Sequence, residues 1–277
     1  MNVQSNSYTV VYASILVVVV AIVLTCASVL LQPTQQKNID NEKRQNILST
    51  LNIESTPEQA EDIYNQYIKE TFVVDGNGSV VEGVEAFDVD MVKVAKQIAT
   101  LTKATDDNAK AEAKKALTLP VFKAVKNDSV IYVLPVRGNG LWGPVWGYVS
   151  LLRDMSTVYG VIFDHASETA GLGAEITKEL FTAPFAGKTI FNAGEMVGIE
   201  ICKGGVANSI YGQDKSHSVD AISGATLTSK GIQAMIFDCF TGYTQFFKNN
   251  MAAATSADSA SVQVSDSTIV DSLNIVK

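Results

Sequence analysis

The sequence predicts an α+β protein: one N-terminal transmembrane helix, then a domain whose mostly antiparallel sheet is packed by helices. Three observations predict it. The stretch Tyr8–Leu31 holds 24 residues without a charge. Between residues 130 and 202, β-branched and aromatic runs are separated by glycine-containing turns, with no regular strand–helix alternation. From Leu227 to Lys248, apolar residues recur at three- and four-residue steps, the stripe of a helix that covers a sheet.

The first element, residues 1–33, reads as a membrane anchor. As a helix, Tyr8–Leu31 is about 36 Å long, enough to cross a hydrocarbon core of about 30 Å. Tyr8 and Tyr12 sit where an interfacial aromatic belt would lie, and Pro33 is expected to follow the helix's end. A cleaved signal peptide fits less well. Met1–Ser7 carries no Lys or Arg, the apolar run is too long, and no small-x-small site precedes a polar start. No second run of this length follows, so the expectation is a single-pass protein. Lys37, Lys43 and Arg44 after the span point to a cytoplasmic domain by the positive-inside rule. Those charges are few and interspersed with Asp40 and Glu42, and large domains translocate largely regardless of charge. Charge alone leaves the side open.

Residues 34–129 read as a helical or accessory region. Helix-like spacing covers residues 34–70, with a start expected at Thr56-Pro57. Asp75-Gly76-Asn77-Gly78 is a turn, and the Lys-, Ala- and Asp-rich residues 88–119 suit a solvated helix. A sheet domain follows over 130–251. Its expected strands are Val130–Val136, Val145–Leu152, Val158–Phe163 and Met196–Cys202, with a hairpin turn at Arg137–Gly140. Helices are expected at Ala174–Phe181 and Leu227–Lys248. From Ala252 to Lys277 the Ser/Ala/Asp-rich composition suits a flexible tail.

Composition excludes several kinds of chemistry. A formal charge of -8 argues against nucleic acid as the main partner. Three cysteines without a CxxC pair, and two histidines, supply neither an iron–sulfur cluster nor a zinc ribbon. Cys202 and Cys239 read as free core thiols. His165 beside Asp164 has no nucleophile positioned near it, and His217 is expected at the surface. Trp142 and Trp146 read as core or interface aromatics. Lys188 and Lys230 are lone cations that could neutralise a phosphate.

The segment Asp220-Ala221-Ile222-Ser223-Gly224-Ala225-Thr226, just before the long helix, carries the chemistry. Small residues let another group approach the backbone, and free N–H groups at a helix start favour a phosphate. From the residues alone two uses stay open: a phosphate site, or an ordinary helix start with Ser223 capping and Thr226 in the first turn.

The run D-A-I-S-G-A-T resembles the flavinylation motif of covalent FMN-binding domains. Gly140-Leu141-Trp142-Gly143-Pro144 is similar to that family's Gly-Leu-Trp segment. His165-Ala166-Ser167-Glu168-Thr169-Ala170-Gly171-Leu172-Gly173 resembles its Glu-Thr-Pro-Gly-Leu-Gly loop, with Ala170 where Pro is usual. In order and spacing the three are similar to the C subunits of the Na+-translocating NADH:quinone oxidoreductases. The resemblance implies FMN joined by a phosphoester to Thr226, donated from FAD by a flavin transferase. It implies FMN contacts from Ser223, Gly224, Ala225, Glu168, Thr169, Gly171, Leu172 and Gly173, with Asp220 read by the modifying enzyme. It also implies partners in a six-subunit inner-membrane complex that oxidises NADH, reduces quinone and moves Na+, with the flavin domain on the periplasmic side. An Rnf-type flavoprotein subunit, or a non-redox membrane-anchored ectodomain, are the alternatives.

Overall fold

The computed structural model describes the backbone of residues 6–270 and the side chains of residues 6–252. Its first helix, α1 (Asn6–Ser49), is unbroken from the apolar run into the folded domain. Pro33 therefore does not end it, contrary to expectation. A proline inside a helix gives up one backbone bond and costs about 3 kcal/mol. Here the far end of α1 is held down, since Ile47 and Leu48, and Leu51 just beyond, are fully buried. Ser150 Oγ lies 2.9 Å from both Thr50 O and Gly160 O and stitches that end to the sheet. Ser150→Ala leaves the buried Thr50 carbonyl without this donor, so urea unfolding should show a loss of about 1–3 kcal/mol.

A short helix, α2 (Ala60–Tyr67), passes directly into strand β1 (Ile68–Val74). The helix begins at Ala60 rather than at Thr56-Pro57, and it stops at Tyr67, where Ile68, Thr71, Phe72, Val73 and Val74 favour a strand. The Lys-rich region forms α3 (Met91–Lys103) and α4 (Asp107–Lys115), as its composition suggests. Each has an aspartate cap: Asp90 accepts from Val92 N at 2.8 Å and Asp106 from Ala109 N at 2.7 Å.

Strands β2 (Leu119–Lys126), β3 (Ser129–Asn139), β4 (Pro144–Leu152) and β5 (Val158–His165) complete a five-stranded antiparallel meander in chain order. The boundary expected at residue 130 thus cuts a hairpin. β2 and β3 are joined at Asn127-Asp128, both with positive φ, the geometry of a two-residue hairpin loop. β1 and β2 belong to the same sheet as the predicted strands. The next hairpin turns at residues 140–143, three residues later than expected, because β3 continues through Asn139.

Side-chain alternation splits the core into two layers. On one face Val121, Leu134 and Val136 pack with Val94 and Ile98 of α3. They also meet the C-terminal helix α6 (Thr226–Val270), through Ile232, Met235, Ile236, Cys239, Phe240, Tyr243 and Phe247. On the other face Phe122, Val133 and Tyr148 pack with Ile47, Leu48, Leu51 and Tyr64. The predicted stripe of α6 is buried as expected, and the one hydroxyl in it is satisfied, Tyr243 Oη donating to Pro120 O at 2.7 Å. The helical backbone continues past the Ala252 boundary to Val270, and the rest of the expected tail, residues 271–277, lies outside the described residues.

After β5 the chain makes a short helix α5 (Glu179–Thr182) and two small strand pairs. These are β6 (Phe191–Asn192) with β7 (Glu195–Met196), and β8 (Glu200–Cys202) with β9 (Ser218–Asp220), the last pair parallel. The expected strand Met196–Cys202 is broken because Val197 N and Gly198 N turn away to bond Ile190 O.

Cys202 and Cys239 are both free and buried, as the sequence suggests. Burial pushes the Cys239 thiol up to about 12, against a weak pull down from its contact with Arg137 O. A raised folded-state value favours the neutral thiol, so its contribution to stability is complete below the unfolded value of about 8.5 and disappears as pH rises towards 12. Iodoacetamide at pH 8 should leave Cys239 unmodified in the folded chain and alkylate it in urea, as peptide mass mapping would show.

Candidate functional site

Three segments meet where α6 begins: the 140–143 turn, the loop from Ala166 to Gly173 that follows β5, and Ile222–Ser229. Gly224 has φ +79, a conformation that L side chains rarely adopt, and a Cβ there would lie 2.9 Å from Leu172 Cδ2. The small residues of the motif thus let the Leu172 loop close over the turn.

Ser229, not Ser223, holds this turn. Its hydroxyl donates to Ala225 O at 3.0 Å and accepts from Ile222 N at 3.1 Å, while Ala225 N bonds Ile222 O. The capping role open to Ser223 is not taken up. Neither Ser223 nor Thr226 has a side-chain hydrogen bond to another described residue. Ser223 is exposed and Thr226 half-buried in the first turn. The first bond of that helix is Ser229 N to Ala225 O, so the N–H groups of Thr226, Leu227 and Thr228 precede the intrahelical ladder.

The remaining predicted residues separate into two groups. Thr169, Gly171 and Leu172 are exposed on the loop, which is tied by Leu172 N and Ala174 N to Thr169 O. Gly173 and Ala225 are buried beneath it. Glu168 is buried too, and it points inward. Its Oε1 accepts from Trp142 N at 2.9 Å and its Oε2 from Thr228 Oγ1 at 2.7 Å. Asp220, at the end of β9, is exposed and accepts from Val206 N at 2.7 Å. The structure brings Glu168, Leu172 and Gly173 against the helix start formed by residues 223–226, while Thr169 and Gly171 lie farther out on the same loop and Asp220 is tied to Val206 at the edge.

His217 departs from expectation. It is buried, with Nδ1 2.7 Å from Thr189 O and its ring 5.0 Å from that of Tyr211. The parallel β8–β9 pairing draws it inside. His165 and Asp164 form no side-chain pair: Asp164 Oδ1 accepts from the His165 backbone N, and His165 Nδ1 from Glu168 N. Thr228 and Ser229 belong to the site although the motif does not mark them. Extending the apolar stripe of α6 back by one turn from Ile232 places both on its buried face.

Two surfaces border the start of α6. Leu141, Trp142, Leu172 and Leu227 are 47, 66, 42 and 64% exposed, an apolar group on the rim of the site. On another side a cavity of about 660 Å³ runs from Asp220, Ile222 and Ser223 to Lys178, Phe181 and Lys188. Lys188 Nζ donates to Lys215 O at 2.7 Å. Unladdered N–H groups, two hydroxyls without a partner among the described residues, and nearby apolar surface fit a phosphate carrying an aromatic ring system, which is the make-up of FMN. Among the described residues no cluster of His, Cys, Asp or Glu could hold a metal ion.

Known proteins share this region and this fold. Residues 140–241 match the FMN-binding domain family, a span that contains all three segments. The chain is similar to the C subunit of the Na(+)-translocating NADH-quinone reductase of Haemophilus ducreyi, at 35% identity over 83% of this chain and 88% of that protein. It is also similar to the C subunit from Pseudomonas aeruginosa, at 28% identity over 85% of this chain and 91% of the other. Among solved structures, the C subunit from Parabacteroides distasonis superposes with a TM-score of 0.67 at 40% identity, covering 78% of this chain and 96% of that one.

Proposed function

The chain belongs to the family of C subunits of the Na(+)-translocating NADH-quinone reductases, and from that premise we propose that its FMN is carried as a phosphoester on Thr226. It is an FMN-carrying electron-transfer subunit of that membrane complex. The observation that carries the attachment reading is the Thr226 hydroxyl. Among the described residues it has no partner, and it stands half-buried in the first turn of α6, beside N–H groups that precede the helical ladder.

FMN, when bound, supplies the electron-transfer chemistry. The protein's part is to hold and surround it. The N–H groups of Thr226, Leu227 and Thr228, with the Ser223 hydroxyl, would donate to the phosphate oxygens, and the positive end of α6 favours their charge. Leu172 and its neighbours on the rim offer apolar surface to the ring. The small Gly224 and Ala225 leave the backbone open to close approach. Attachment from FAD would form the bond between Thr226 Oγ and phosphorus and break the pyrophosphate, releasing AMP and the hydroxyl proton. A flavin transferase performs that step in this reading, with Asp220 exposed at the edge of the motif where such an enzyme could read it.

The reading also sets the chain in a six-subunit assembly of the inner membrane, with α1 as its single span and the flavin domain on the periplasmic side. The three positive charges after the span, interspersed with two acidic ones, oppose that side only weakly.

Intact-mass spectrometry of the chain produced with an active flavin transferase tests the attachment. The expected gain is about 438 Da, one FMN less one water. An unmodified chain under those conditions would overturn it.

A further inference from the structure

Glu168 occupies a place that a surface-loop carboxylate has no reason to occupy. It is 7% exposed, and its oxygens reach two segments far away in sequence: the 140–143 turn through Trp142 N, and the first turn of α6 through Thr228 Oγ1. The chain has been shaped around it. A Cβ on Gly140 would fall within contact distance of Oε1, and one on Gly173 would fall against Oε2 and 2.7 Å from Thr228 Oγ1. A neighbouring bond closes the same junction, Ser167 Oγ donating to Trp142 O at 2.9 Å. Two glycines, one threonine and one glutamate thus form a single clasp.

From this clasp we infer that Glu168 is a positioning residue for flavin attachment: it fixes the first turn of α6, and so Thr226 Oγ, against the Leu172 loop. The inference rests on Thr226 being the attachment residue. Thr228 is two residues from Thr226 in the same helical turn, so a hydrogen bond that pins Thr228 pins the acceptor's backbone with it. Glu168 faces away from solvent, so it acts through Thr228 rather than by touching the flavin donor. The contacts are geometric: both partners are neutral donors, and an amide could make the same pair. A glutamine carbonyl would accept from Trp142 N, and its NH2 would donate to Thr228 Oγ1.

The test follows the initial rate of FMN attachment to the full-length chain in detergent, with purified transferase and FAD, by intact mass. Glu168→Ala should lower the maximal rate about 10- to 100-fold, the scale expected when a reacting atom is misplaced by about 1 Å, with the KM for FAD unchanged. Glu168→Gln should recover to within about threefold of wild type, a rescue that shape-independent destabilisation would not produce. Should Glu168→Ala fail to fold, Thr228→Val removes one of the two bonds while keeping the side-chain shape, and should still slow attachment several-fold. Attachment to Glu168→Ala or Thr228→Val at the wild-type rate would overturn the clasp, as would a glutamine variant as slow as the alanine one. Failure of the wild-type chain itself to gain FMN would instead overturn the Thr226 reading.

Discussion

Thr226→Ala is expected to produce a folded but colourless chain. Its flavin should be absent both in intact mass and in the visible absorbance of denatured protein, where wild type keeps its yellow colour. The effect on the covalent cofactor is all-or-none in this reading, because a single Oγ–phosphorus bond at Thr226 makes the attachment. The effect on stability should be small. Thr226 is half-buried, and its hydroxyl has no partner among the described residues, so the change should stay within about 0.5 kcal/mol. That contrast gives the experiment its force: an unchanged urea midpoint with no flavin identifies attachment, whereas lost flavin with lost fold would not. Thr226→Ser retains a hydroxyl and should still be modified. Flavin surviving denaturation of the alanine variant would mean that another residue carries it.

Gly147→Ala is expected to have the opposite profile, a large loss of stability with no change in the motif. Gly147 pairs with Phe163 between β4 and β5. A Cβ there would run into Ile162 O and lie 2.9 Å from Phe163 Cδ1. The obstacle is the backbone of the neighbouring edge strand and has no rotamer to escape into. Either the two strands separate or the sheet bends, at a cost of about 3 kcal/mol or more. Against a typical domain stability of about 5–15 kcal/mol, that is a large fraction. Because β5 leads straight into the loop that carries Glu168 and Leu172, flavin loading should fall together with stability. Chemical denaturation of the detergent-solubilised chain would check it, and a wild-type midpoint would show that the strands absorb the methyl group.

Where local pattern is enough, the sequence is legible. The cores of β3, β4 and β5 announce themselves by β-branched residues, and the stripe of α6 by its three- and four-residue steps. β2 carries a signal that its surroundings mask. Leu119–Lys126 and the strand after it flank Asn127-Asp128, two residues that tolerate positive φ, but the lysine-rich composition upstream suggests a helix instead. β1 is hidden for another reason. Ile63, Tyr64, Tyr67 and Ile68 keep helical spacing up to the junction, and spacing does not say where a helix hands over to a strand. Within the site, motif residues are readable but their orientation is not. Glu168 sits in a Gly-rich loop and looks like a ligand. Its inward turn depends on partners 26 and 60 residues away. The same holds for His217, drawn inside by a strand pairing that local sequence does not encode.

The unbroken α1 gives the molecule a mast. From Leu31, at the end of the apolar run, to Ile47, where the helix is clamped to the sheet, sixteen residues rise about 24 Å without an articulated joint, and Gln32–Ile39 are bare on every side. A tether of loose chain would let the domain wander within a sphere; a mast sets its altitude over the bilayer and leaves it an arc. Tilting such a spar by about 20°, within the range that membrane helices adopt, carries its tip sideways by about 8 Å while barely changing its height. Donor and acceptor must therefore meet this protein at one elevation, and Pro33 marks the foot of the spar.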